Sequence, residues 1–228
     1  MSGLCTVDFH THLNWQSPLV VSKSVIRIIS TPLAHISDPV PENTVQTLEL
    51  HPWDEADFSA DFQQAARSKR FAGIGEVGLD RIKGALPIGR QQEIFEQASQ
   101  LAQTLQKPLT VHCVKAFSEL LNSYKKIRWN VPTIIHYFRG NLALAQQLWE
   151  HTDFILSLPP AVFTQKKLLD HLRGNHTLLK RIVLETDDPD SGDIEQHYCN
   201  MAAALDIELA DLQKIMFEQY LRLYNVGK

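Results

Sequence analysis

No stretch of about 18 consecutive apolar residues occurs in the chain, so no membrane-spanning helix is expected. Its start, MSGLCTVDFH, has no basic cluster leading into an apolar run. A secretory leader is therefore not expected, and the cytoplasm is the expected compartment. Cysteine is scarce. Cys5, Cys113 and Cys199 are odd in number, far apart and form no Cys-x-x-Cys, which argues against both a disulfide framework and a zinc knuckle. Positive charge is not in excess either. A net charge of -4 and a pI near 6.2 argue against a broadly basic, nucleic-acid-coating surface but leave room for a local basic patch. Internal repeats and low-complexity segments are also lacking.

What is present is ordinary for a folded chain. Over 228 residues, 44% are hydrophobic and 21% charged, enough for a sizeable core, and a single domain over residues 1–228 is expected. Short β-branched or apolar runs recur at Cys5–Phe9, Val25–Ile29, Val45–Leu50, Phe71–Ile74, Leu109–Val111, Thr133–Ile135, Phe154–Leu156 and Arg181–Leu184. Helical patterns separate the later ones. Ile94, Phe95, Ala98, Leu101, Ala102 and Leu105 trace one helical face ahead of Pro108. Asn141 is placed to cap a helix carrying Leu144, Ala145 and Leu148, and a last helix is expected over about Ile207–Tyr224. Eight strands alternating with helices predict an α/β fold, a TIM-type (β/α)8 barrel.

The first third departs from that rhythm. Too little chain lies between His12 and Val25 for a full crossover helix, and Pro32, Pro39 and Pro41 forbid a regular helix between Ile29 and Val45. One or two early outer helices are thus expected to be missing. Loops or the C-terminal helix would cover the bare strands; a subunit interface is the alternative.

Chemistry in such a barrel belongs at the carboxyl ends of the strands. Those ends carry His10, His12, His51, Glu76, His112, His136 and the run Glu185-Thr186-Asp187-Asp188, which together hold five of the chain's ten histidines. His10 and His12 are two apart on a strand end, so their side chains point the same way. A metal ion explains such a pair, and so does a hydrogen-bonded structural pair. Leaving His51 aside, four imidazoles and two carboxylates can serve two divalent metals if one carboxylate bridges. Nitrogen and oxygen donors of this kind suit zinc, manganese or iron, and magnesium less readily. Glu76, with its two carboxylate oxygens and its small neighbours Gly75 and Gly78, is the bridge candidate.

DFHTH, HPW, GIGEVGLD, VHC, IIHYFRG and VLETDDP stand in the order and spacing of the TatD family of metal-dependent hydrolases, which the chain resembles over nearly its whole length. The resemblance implies a deoxyribonuclease or phosphodiesterase with a two-metal centre, in which a hydroxide held by the metals attacks the phosphodiester. It implies that His10, His12 and Asp187 hold the first metal and that His112 and His136 hold the second. Glu76 would bridge the two, with Asp187 orienting or deprotonating the attacking water. His51 resembles the family's near-metal histidine, expected to bind phosphate or to support a ligand rather than to be one itself. Glu185 is expected to orient a ligand histidine, Asp8 to accept hydrogen bonds beneath the cage, and Arg139 to contact phosphate. Arg81, Lys83 and Lys115 are weaker candidates for phosphate. Trp15 and Trp53 could stack on a base or pack in loops, while Tyr137 and Phe138 are expected in the core.

Several positions depart from the family. Cys113-Val114-Lys115 replaces a serine followed by an arginine–aspartate pair, Tyr137 and Arg139 replace small residues, and the loop after Asp187 is short. Each leaves the proposed ligands intact and bears on substrate. Hydrolysis of amides, lactones or esters on the same barrel is therefore the alternative, and a non-catalytic metal-binding protein the more distant one. The expected partners are two divalent metal ions and DNA or a small phosphodiester, with no membrane and no obligate protein partner. A monomer or homodimer is expected.

Overall fold

A computed structural model describes residues 5–15, 24–55, 57–188 and 193–224. The strands are β1 (Thr6–Thr11), β2 (Val25–Thr31), β3 (Thr44–Leu50), β4 (Phe71–Asp80), β5 (Leu109–Val114), β6 (Thr133–Ile135), β7 (Ile155–Leu158) and β8 (Ile182–Leu184). The α-helices are α1 (Ala60–Ala66), α2 (Ile88–Leu105), α3 (Phe117–Ile127), α4 (Leu142–His151), α5 (Lys166–Arg173), α6 (Ile194–Leu205) and α7 (Leu209–Tyr224). All eight strands lie in one sheet in chain order, and every pair whose register is described is parallel. A further parallel bridge joins Thr11 to Asp187. This is the (β/α)8 class that the alternation of elements predicts. The crossover from β2 to β3 holds only a 3-10 turn at Leu33–His35, as the prolines require. Most of the link between β1 and β2 lies outside the described residues.

Contacts group the chain into two compact units: Met1–Ile29, Val40–Val45 and His136–Lys228 in the first, Ser30–Pro39 and Gln46–Ile135 in the second. In the first unit β1 is buried along its whole length, and α6 and α7 pack on it. Tyr198 of α6 donates its hydroxyl proton to the Val7 carbonyl at 2.8 Å, fixing helix to strand. The C-terminal helices thus cover β1. Asn141 caps α4 by accepting from the Leu144 amide at 3.0 Å, and Asp193 caps α6 through the Glu195 amide at 2.8 Å.

In the second unit α2 buries Ile94, Phe95, Ala98, Leu101 and Ala102. It closes on Gln106, whose φ of 54° places it in the left-handed region. Strand β4 runs six residues beyond its expected end at Ile74 and is buried nearly throughout. Two glycines allow that. A Cβ at Gly78 would lie 1.9 Å from the His112 carbonyl oxygen, and one at Gly75 would lie 2.3 Å from that of Thr110. The glycines therefore let β4 press against β5, and Gly75 also takes a φ of +134°. Beyond β4, Gln91 of α2 accepts from the Asp80 amide at 2.7 Å and donates to the Asp80 carbonyl at 3.1 Å, holding the strand end.

Other boundaries move by a residue or a few. The first strand runs to Thr11, the seventh spans Ile155–Leu158, and Arg181 ends a 3-10 turn rather than starting the eighth. The last helix starts at Leu209 rather than Ile207.

Candidate metal centre

In the first unit, β1 and the end of β8 present His10, His12 and Asp187 together. Backbone hydrogen bonds do the placing: the Asp187 amide donates to the His10 carbonyl at 3.0 Å, and the His12 amide donates to the Asp187 carbonyl at 2.9 Å. Asp187 takes a φ of 69°, a conformation that an L residue holds only when its surroundings impose it. Its Oδ1 lies 3.6 Å from His10 Nε2, 3.9 Å from His12 Nε2 and 3.7 Å from His136 Nδ1. The two Nε2 atoms of the His-x-His pair are 3.2 Å apart. The pair converges as expected, although His12 lies just past the strand and the β1–β2 register slips between Asp8 and Thr11.

Two buried carboxylates brace this cluster, each in a way the sequence did not specify. Asp8 accepts from the Thr186 amide at 3.0 Å and the Thr186 hydroxyl at 2.6 Å, so it holds the residue before Asp187 rather than a histidine. Burial pushes its carboxyl up to about 7, against the pull of the Thr186 hydrogen bonds. Glu185 was expected to orient a ligand histidine. Its hydrogen bonds instead come from the Tyr137 amide and the Ser157 hydroxyl, and its Oε1 stands 3.6 Å from His136 Nδ1, too far for a hydrogen bond. It therefore sets His136 through the next residue's backbone, where Tyr137 has a φ of 45°. Phe138 is buried and Tyr137 half-buried, so only Phe138 joins the core.

In the second unit, Glu76 meets His51 and His112. Glu76 Oε1 lies 3.0 Å from His51 Nε2 and contacts His112 Nδ1, and the Glu76 amide donates to Ser30 Oγ at 2.8 Å. His51 Nδ1 accepts the Trp53 amide at 3.1 Å, so the neutral ring carries its proton on Nε2 and donates it to Glu76. In that tautomer His51 positions Glu76.

Asp80 is the residue that sequence reasoning passed over. Its Oδ2 accepts from His112 Nε2 at 3.0 Å and from the Trp53 indole at 2.7 Å. Its Oδ1 accepts from the Ile82 and Lys83 amides at 2.7 and 2.9 Å. Burial alone would raise its carboxyl, but the hydrogen bonds from Trp53, Lys83, Ile82 and His112 prevail and hold it down at about 2. An ionised Asp80 fixes the proton of neutral His112 on Nε2 and leaves Nδ1 as a lone pair facing Glu76. The signal was available: Asp80 is the last residue of GIGEVGLD, but it lies beyond the expected strand end at Ile74.

The basic candidates separate. Arg81 forms an ion pair with Glu119. Lys83 lies with its Nζ 4.4 Å from the centre of the Trp53 ring. Arg139 and Lys115 are exposed.

The donor chemistry fits divalent cations. In the first unit one ligand atom each from His10, His136 and Asp187 falls within 4.8 Å of the others, and in the second the same holds for His51, Glu76 and His112. Lone pairs of neutral imidazole brought against carboxylate oxygens are mutually repulsive unless a proton or a cation lies between them.

A parallel (β/α)8 fold with imidazoles and carboxylates at its strand ends defines a barrel of the metal-dependent hydrolase type. Residues 19–225 match the family model described as TatD related DNase, and the chain belongs to that family of metal-dependent hydrolases. It is similar to a human 3′-5′ RNA nuclease, TATDN2, at 33% identity over 132 residues, 55% of this chain and 17% of that protein. It is also similar to a 3′-5′ ssDNA/RNA exonuclease TatD of Edwardsiella piscicida, at 26% identity over 68% of this chain and 62% of that one. The chain thus spans less than two thirds of the length of either relative. Among solved structures, a TatD family hydrolase from Entamoeba histolytica matches with a TM-score of 0.77 at 15% identity, covering 96% of this chain and 98% of that one.

Proposed function

We propose that this protein is a two-metal phosphodiesterase that hydrolyses single-stranded DNA or RNA. One observation carries the reading: backbone hydrogen bonds to His10 and His12 hold the Asp187 carboxylate beside three imidazoles. The names of the relatives support nucleic acid as the substrate. His10, His12 and Asp187 would hold one cation, and the assignment of a second to His112 and His136 rests on the family pattern. The bridging role of Glu76 rests on the family pattern. Bound divalent cations would supply Lewis acidity, acidifying a water and neutralising charge on the phosphate.

The chain's own groups do the rest. Asp187, kept in place by β1, accepts the proton of the attacking water. His51 donates to Glu76 and orients that carboxylate. Asp80 holds the His112 tautomer, and Glu185 sets the strand end that bears His136. Arg139, exposed three residues beyond His136, contacts the substrate phosphate.

Protein stripped with a chelator and reloaded with magnesium, manganese or zinc tests this against labelled single-stranded DNA and RNA and a panel of small esters, lactones and amides. Metal-dependent shortening of the oligonucleotide is expected, with a loss of about 10²–10⁴-fold in Asp187→Ala and His112→Ala. Turnover confined to carboxylic esters or amides would assign the other bond class, and full nuclease activity in both variants would remove the ligand roles.

A further inference from the structure

Trp53 and Lys83 are exposed in the second unit and take no part in the metal chemistry proposed above. Trp53 is 46% exposed, unusual for an indole whose N–H is hydrogen-bonded to a buried carboxylate. Its ring stands edge-on to His51 and His112, with centroids 4.8 and 5.8 Å away. Lys83 lies over the ring, and its neighbour Ile82 is 69% exposed. Asp80 holds the whole arrangement, taking the indole and His112 on one oxygen and the Ile82 and Lys83 amides on the other. A large aromatic face is thus tied to the same carboxylate that sets a proposed ligand histidine, with an exposed cation resting on it.

We infer that Trp53 is a nucleobase-stacking platform and that Lys83 is the phosphate contact paired with it, both serving the nucleotide adjoining the scissile phosphate; this rests on the nuclease reading above. A base stacks on an aromatic face regardless of sequence. An exposed ammonium over an indole is held more weakly than a stacked base, so an arriving base displaces it. The ammonium, tethered at the edge of the platform, then meets the backbone phosphate. The platform takes unpaired bases, because in a duplex the base faces are already stacked on one another.

Replacing Trp53 by Leu or by Phe removes the indole bond to Asp80 in both cases, so the difference between the two variants isolates the ring face. With metal-loaded protein and a single-stranded oligonucleotide, KM in Trp53→Leu is expected to exceed that in Trp53→Phe by about tenfold. With an oligonucleotide whose two nucleotides at each end are abasic, that ratio is expected to fall to about one. Lys83→Gln is expected to lower the slope of log KM against log salt by about 0.7. Equal KM values for the two Trp53 variants on the intact strand, or the same ratio on the abasic strand, would overturn the platform while leaving the nuclease reading in place. A wild-type protein that cleaves no oligonucleotide overturns both.

Discussion

Asp80 shows how a single side chain can organise chemistry it does not perform. Its carboxylate has room for four hydrogen bonds and receives four, from an imidazole, an indole and two backbone amides. An amide in its place would turn one donor group toward these donors. In Asp80→Asn, His112 is expected to lose its fixed tautomer and metal affinity to fall by about 10–100-fold. Calorimetric titration of the stripped protein with manganese checks this, and an unchanged affinity would show that His112 is oriented by something else. Asp187 works by the opposite logic: its own backbone is constrained, at a φ of 69°, by hydrogen bonds to the two histidines it serves.

Among the elements, the glycines of β4 and the tyrosine of α6 do the most to put functional groups in place. Gly75 and Gly78 matter for their missing Cβ atoms, because β5 passes where those atoms would sit. Tyr198 ties α6 to β1 three residues before His10, through a hydroxyl buried away from water. Removing that hydroxyl leaves the Val7 carbonyl short of a donor within the core. Tyr198→Phe is therefore expected to lower stability by about 1–3 kcal/mol, read as the urea midpoint at an unchanged slope. A midpoint within error of the wild type would mean that the bond contributes nothing net. Asn141 was legible as a cap because the capping hydrogen bond reaches only three residues along the chain.

On the scale of the molecule, ions that bind only the folded chain shift the folding equilibrium by mass action. Manganese or zinc at about a hundred times its dissociation constant stabilises by about 2.7 kcal/mol, a rise in Tm of roughly 5–10 °C for a chain of this size. The same metal is expected to raise the Tm of His10→Ala by distinctly less. Scanning fluorimetry with and without a chelator measures both. Equal shifts in the two proteins would place the stabilising ion away from His10.

The sequence by itself determined the strand order, because patches of β-branched residues recur between helical patterns and parallel strands need such crossovers. It also determined which residues lie toward the carboxyl ends of the strands, since His10, His12, His112, His136 and Asp187 can be placed by counting along short runs, whereas Glu76, expected at the end of β4, stands inside it. Only the tertiary structure decided how those residues are held. The length of β4 depends on how closely β5 approaches, the pose of Asp187 on hydrogen bonds from a strand more than 170 positions away, and the task of Asp80 on His112, which lies 32 positions on. Periodicity and capping act over a few residues and can be read locally. Register slips, buried hydrogen bonds and tautomers depend on partners brought together only when the chain folds.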